Sequence, residues 1–232
     1  MSDSLNNNIP LILGSQSPRR RQLLEEAGFE FEVVLPSLDA EDIIGDDEDP
    51  RDAVKRLAYQ KASDVALRVE HGIILACDTI AVLLDANPTL QCYANFNDRT
   101  NINGDIDFKM LDADASKKYG TILGKPENED HARRMLKMLR GTTHYVYSGI
   151  CLWERPDGSP QIGIDETRLY MESVSDELIE KYLQSGLWEG KAGAFGYQDE
   201  LGWIHIEEGS ESNVVGLPME LLCSMLKAMG RV

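Results

Sequence analysis

The run Ser15-Gln16-Ser17-Pro18-Arg19-Arg20 brings two hydroxyls and two guanidiniums to the point where a short apolar segment, residues 10–13, gives way to a helical pattern. The first N–H groups of a helix lack intrahelical partners, and the helix dipole favours an anion there. A guanidinium fork matches phosphate oxygens two at a time. Arginine at a helix start opposes that dipole, which argues for an anion lying between them. The competing reading is an N-cap followed by solvated arginines.

Asp78-Thr79 interrupts the apolar run 73–84. A buried, unpaired carboxylate is costly, so Asp78 has to meet a cation, a metal or an open cleft; a salt bridge inside the sheet is the alternative. Lys61 lies on the apolar stripe of its helix, seven residues after Val54 and four before Val65. There it either snorkels to water or faces a phosphate cleft. Lys125 stands between Gly124 and Pro126, and Lys191 in Gly190-Lys191-Ala192-Gly193-Ala194; small residues admit a ligand closely, although surface-turn lysines have the same look. Gly209-Ser210-Glu211-Ser212-Asn213 is a second donor-rich turn. Five separated cations and hydroxyl-rich turns around one or two carboxylates suit a triphosphate held with a divalent metal. Taken residue by residue, the pattern reaches a phosphate-handling α/β enzyme and no reaction.

The elements that must position these groups follow from periodicity and punctuation. Residues 10–13 read as a strand, with Ser17 as N-cap and Pro18 opening a helix that Gly28 ends. Residues 29–35 read as a strand, and Asp49-Pro50 start a long helix whose apolar face is Val54, Leu57, Ala58, Ala62, Val65 and Val69. Residues 72–84 form a buried-type strand, and residues 121–123 return beside it as a hairpin with an expanded polar tip at 86–118. Asn128 caps a helix that Gly141 stops. Strands 145–154 and 161–174 are joined by a Pro-Asp-Gly turn. Ser175 caps a further helix, 203–206 is a strand, and Pro218 opens the last helix. Hairpins among the βα units predict an α/β fold built on a mixed sheet flanked by helices.

The formal net charge of −17, with eight acids and one arginine between Asp39 and Asp52, argues against binding a nucleic-acid polymer or an anionic membrane surface. A polyphosphate needs only a local basic pocket. No apolar run reaches the roughly 18 residues a membrane helix needs, and the N-terminus lacks the basic and apolar regions of a secretion signal. Residues 1–8 read as a disordered lead. Cys77, Cys92, Cys151 and Cys223 show no metal-type spacing and read as thiols of a reducing, cytoplasmic compartment, with Cys77 and Cys151 buried. The histidines His71, His131, His144 and His205 are scattered and read as structural.

In combination, these motifs resemble the Maf family of nucleotide pyrophosphatases. The matches run in order: Ser15-x-Ser17-Pro18-Arg19-Arg20, Tyr59-Gln60-Lys61-Ala62, Asp78-Thr79, Gly124-Lys125-Pro126, Tyr147-Ser148-Gly149, Thr167, then Gly190 to Gln198 and Ser212 to Pro218. The resemblance covers roughly residues 9–229. It implies an elongated, two-lobed α/β fold with a central cleft, related to the inosine-triphosphate pyrophosphatases. It also implies Mg²⁺ or Mn²⁺ as cofactor, a nucleoside triphosphate as substrate and often a homodimer. A single domain would span 9–232, with 86–118 inserted. Asp78 matches the family's catalytic aspartate, and Arg19, Thr79 and Gln198 match positions linked to base choice in the branch acting on dTTP and UTP. The implied grip on the triphosphate is Ser15, Ser17, Arg19, Arg20, Lys61, Lys125 and Lys191. Asp78 with Asp39 or Glu41 would hold the metal or activate a water. Two departures stand out. The family's loop acids usually fall in an Asp-Glu pair, where this chain has Asp39-Ala40-Glu41. Gln198 is usually followed by glycine, where this chain has Asp199-Glu200, placing negative charge near the expected cleft. The alternatives are a 7-methyl-GTP pyrophosphatase and a non-catalytic nucleotide-binding regulator of septum formation and cell division.

Overall fold

Seven strands make one mixed sheet among the residues that the computed structural model describes, 9–45, 48–84, 120–199 and 201–231. The expected disordered lead and the inserted tip at 86–118 lie outside the described residues. The strands are β1 (Leu11–Leu13), β2 (Phe31–Val33), β3 (Gly72–Leu83), β4 (Thr121–Leu123), β5 (Thr143–Arg155), β6 (Gln161–Met171) and β7 (Ile204–Glu208). Their order is β2-β1-β3-β5-β6-β7, with β4 also on β3. The β1–β2 and β1–β3 pairs are parallel and the remaining pairs are antiparallel.

The spacing of partners along β3 creates the feature on which the site depends. β5 covers one edge of β3 from Gly72 to Val82. On the other edge β1 pairs only as far as Leu13↔Leu75, and β4 begins at Ala81↔Leu123. Between them the edge at residues 76–80 carries no strand, and Asp78 and Thr79 stand in the middle of that gap. Strand side chains alternate between faces. Ile74 and Ala76 therefore pack with α2 (Pro50–Ala66), whereas Ile73, Leu75 and Cys77 pack in a separate cluster that includes Leu24, Leu222 and Leu226. Those three leucines come from α1 (Pro18–Glu26) and α6 (Met219–Ala228). Asp78 thus belongs to the α2 face and Thr79 to the opposite one. Farther along that second face, Ala81, Val146 and Leu169 join a third cluster with α3 (Glu129–Leu139) and α4 (Asp176–Gln184).

The helices start where the caps predict. The Asp49 carboxylate accepts from the Arg51 N–H at 2.8 Å, and Asn128 Oδ1 accepts from the His131 N–H at 2.9 Å. Ser175 Oγ accepts from the Leu178 N–H at 3.4 Å. Two local expectations change. Ser17 precedes Pro18 as expected, but its side chain makes no capping bond. The donor-rich turn after Gly209 is a short helix, α5 (Glu211–Val215), capped by Ser210 and closed by Gly216 at φ 118°. Gly149 explains why α2 can lie so close to β5: a Cβ there would overlap the Val54 carbonyl oxygen. Cys77 and Cys151 are buried as expected, and burial pushes the Cys151 thiol up to about 12. No helix among the described residues is long and apolar enough to cross a membrane.

Candidate active site

A cleft of about 370 Å³ opens at the gap in β3. The loop after β1, carrying Ser15 and Ser17, and the first turn of α1, carrying Arg19, form one wall, and Lys125, just past β4, stands on another. Glu41, Lys61, Asp78 and Thr79 line the same space. The parallel β1 delivers the Ser-Arg loop to this point, and Pro18 at the start of α1 fixes the helix entry, so that the free N–H groups of its first turn belong to the cleft wall.

The acidic residue in the sheet does meet a cation. Lys61 Nζ donates to Asp78 Oδ1 at 2.5 Å and lies 3.0 Å from Glu41 Oε2. The Asp78 and Lys61 side chains are only 13% and 11% exposed, whereas Glu41 is 39% exposed. The ammonium sits on the buried stripe of α2, as its spacing predicted, and it faces the cleft carboxylates instead of snorkelling to bulk water. Of the two loop acids, Glu41 is the one brought beside Asp78. Asp39 is exposed and does not line the cleft.

Arg19 and Arg20 divide. Arg20 is buried and donates through Nε to the Gly216 carbonyl at 2.7 Å. Its Nη1 donates to the Cys77 carbonyl at 2.7 Å and to Ser15 Oγ at 3.0 Å, and its Nη2 donates to Thr79 Oγ1 at 3.2 Å. One guanidinium thereby ties the phosphate-type loop, β3 and the end of α5 together. Thr79 Oγ1 also lies 2.8 Å from Ser148 Oγ and 3.2 Å from the Gly216 carbonyl. Arg19 is half-buried and makes one long contact, from Nη2 to the Gly190 carbonyl at 3.3 Å. Burial and the neighbouring Arg20 charge lower its pKa from the ordinary value, partly opposed by Asp199.

Lys191 and Gln198 are not among the residues that line the cleft. Lys191 Nζ is held by both oxygens of Asp199, at 2.5 and 2.6 Å, and the Tyr182 hydroxyl donates to Asp199 Oδ2 at 2.7 Å. The Lys191 and Asp199 side chains are 10% and 6% exposed, so the Asp199 part of the negative charge expected near the cleft is neutralised within the fold, while Glu200 lies outside the described residues. Gly196 makes the room, because a Cβ there would overlap the Lys191 ammonium. Burial, then the bond to Asp199, pushes the Tyr182 phenol far up. Gln198 is exposed. The glycine-rich segment acts on the cleft through its backbone: Gly193, at φ 69°, donates its N–H to the Gly124 carbonyl at 3.0 Å and so holds the loop that carries Lys125.

Residues that reading the sequence as chemistry did not single out are Ser148, Gly216 and His144. Ser148 and Gly216 lay within apolar or glycine-rich runs, and nothing local marks a hydroxyl or a carbonyl that is satisfied by residues far away in the chain. His144 lines the apolar end of the cleft with Val146, Leu169 and Phe195. No group of three or more His, Cys, Asp or Glu among the described residues is arranged to hold a metal ion. Two carboxylates do converge, and Mg²⁺ commonly takes only one or two carboxylates, with substrate phosphates and waters completing the shell.

Comparison with known proteins agrees with the motif set. The dTTP/UTP pyrophosphatase of Rhodopirellula baltica is 43% identical over 94% of this chain and 81% of its own length. The dTTP/UTP pyrophosphatase of Dictyoglomus thermophilum is 34% identical over 95% of this chain and 96% of its own. Among solved structures, a HAM1 protein from Coxiella burnetii aligns with 95% of this chain and 99% of its own at 13% identity and a TM-score of 0.44. The profile of the family described as Maf-like protein matches residues 10–229, and the chain belongs to that family.

Proposed function

We propose that the protein hydrolyses nucleoside triphosphates, dTTP and UTP foremost, to the monophosphate and pyrophosphate. The observation that carries this reading is the Glu41–Lys61–Asp78 cluster standing in the uncovered stretch of β3, opposite the Ser-Arg loop. Relatives named dTTP/UTP pyrophosphatase, aligned over nearly the whole chain, support the substrate class.

In this reading Ser15, Ser17, Arg19, Lys125 and the first N–H groups of α1 bind the phosphates. Arg20 positions that loop and Thr79, in place of gripping phosphate itself. The Lys191–Asp199 pair supports the glycine-rich segment. Glu41 and Asp78 are the groups that would hold a divalent cation, which supplies charge neutralisation to the triphosphate when bound. Asp78 orients a water toward the α-phosphorus and accepts its proton. The new bond joins the water oxygen to the α-phosphorus, and the bond from that phosphorus to the α–β bridging oxygen breaks. Pyrophosphate leaves with the bridging oxygen and the electron pair, and Lys61, Arg19 and Lys125 stabilise the charge that develops on it. A cytoplasmic setting, where these thiols stay reduced, belongs to the same reading.

Hydrolysis of dTTP in ¹⁸O-water with Mg²⁺ or Mn²⁺, read by mass spectrometry, tests the reaction. The expected products are pyrophosphate and ¹⁸O-labelled dTMP; label in the pyrophosphate, or release of orthophosphate, would refute it. Asp78→Asn is expected to lower kcat by about a thousandfold, the scale of a lost catalytic base with its electrostatic term, while keeping the wild-type circular dichroism. A panel adding 7-methyl-GTP decides the base class.

A further inference from the structure

The cleft continues from the phosphate-type end into an apolar end, and its floor there is the face of the sheet that also carries Thr79. Thr79 pairs with Ser148 on β5, Ala81 with Val146, and His144 with Leu169 on β6. Ser148, Val146 and His144 alternate along β5 and so share that face. From Ser148 to His144 is four residues, roughly 13 Å along the strand, a span that places the two ends apart in the way the phosphates and the base of one nucleotide are. Leu139, Phe195 and Val214 wall the apolar end.

His144 is the exception in this lining. It is only 3% exposed, and its Nδ1 is buried without a hydrogen-bond partner among the described residues. An orphaned buried nitrogen costs about 1–3 kcal/mol, and native structures retain few of them. Ligand pockets, by contrast, are mostly apolar with a small number of placed polar groups that fix orientation. Burial pushes the imidazole down to about 4, with the Thr142 carbonyl pulling weakly the other way, so the ring is neutral at physiological pH. A neutral ring carries one proton and one lone pair.

We propose that His144 is a specificity-determining residue that reads the nucleobase from the cleft floor, the unprotonated nitrogen of its neutral imidazole accepting the N3–H of uracil or thymine. The proposal rests on the nucleotide reading above and deepens it. Uracil and thymine carry a proton on N3 and cytosine does not, so the same nitrogen that welcomes UTP would meet a second lone pair on CTP. Sites built to hydrogen-bond a substrate discriminate strongly because the wrong ligand leaves their polar groups unpaired.

The test compares kcat/KM for UTP and CTP in the wild type and in His144→Phe. The wild type is expected to prefer UTP. The variant is expected to lose about tenfold or more on UTP and less than about threefold on CTP, so that the preference collapses. Equal losses on both nucleotides, as a merely structural histidine would give, or an unchanged ratio overturns the proposal. Because His144→Phe can also fail to fold, ¹⁵N spectra of the four imidazoles of the wild type are recorded with and without α,β-imido-dUTP, which resists cleavage. One ring, neutral across pH 5–8 and absent from the His144→Gln spectrum, should shift its unprotonated nitrogen on binding; binding without that shift also overturns the proposal. A wild type that binds the analogue and cleaves no triphosphate refutes the proposed reaction and leaves the imidazole shift to decide the role of His144.

Discussion

Arg20 donates to the Gly216 and Cys77 carbonyls and to the Ser15 and Thr79 hydroxyls, groups on three separate stretches of chain, whereas Arg19, its neighbour, has a single long contact. Removing the buried guanidinium takes a donor from four polar groups at once, so Arg20→Ala is expected to cost about 3 kcal/mol in stability, measured by urea unfolding. Arg19→Ala is expected to leave stability within about 1 kcal/mol and to raise KM for dTTP while lowering kcat, because phosphate positioning serves both ground and transition states. The opposite assignment, with Arg20→Ala stable and impaired only in turnover, would return Arg20 to the phosphates. The sequence could not separate these two. Both arginines follow Pro18, and which of them turns inward depends on a carbonyl at Gly216, far along the chain. Lys61 was more legible, since a lysine on an otherwise apolar stripe already demands an acidic or aqueous partner. The choice between Asp39 and Glu41 was not, because it depends on how the loop after β2 lies against α2.

At the scale of elements, helix starts were readable from Asp49-Pro50, Asn128 and Ser175 because caps act within three residues. Strand existence followed from apolar runs. The gap in β3 was invisible, since it exists only through the registers at which β1 stops and β4 starts. The glycine-rich segment shows the same limit. Its lysine resembled a phosphate grip, yet it forms a buried pair with Asp199 under the Tyr182 hydroxyl. Asp199→Asn is therefore expected to destabilise the protein by about 3 kcal/mol by leaving a buried ammonium unpaired. Adding Lys191→Met should recover most of that loss in urea unfolding. KM for dTTP in the double variant should stay within about threefold of the wild-type value. A large rise in KM on removing Lys191 would show that this ammonium reaches the phosphates after all.

Across the whole molecule, the net charge of −17 surrounds a cleft that gathers its own cations. Self-repulsion of that size is screened by salt, with a Debye length of about 30 Å at 0.01 M falling to about 10 Å at 0.1 M. The melting temperature is expected to rise between 10 and 200 mM NaCl, followed by differential scanning calorimetry without nucleotide; a fall would mean that internal ion pairs such as Lys61–Asp78 outweigh the repulsion. The most direct test of the account is a crystal structure with α,β-imido-dUTP and Mg²⁺. It should show the triphosphate against Ser15, Ser17 and Arg19 with the cation on Glu41 and Asp78. Phosphates bound elsewhere, with the Glu41–Lys61–Asp78 cluster out of reach of both nucleotide and cation, would contradict it.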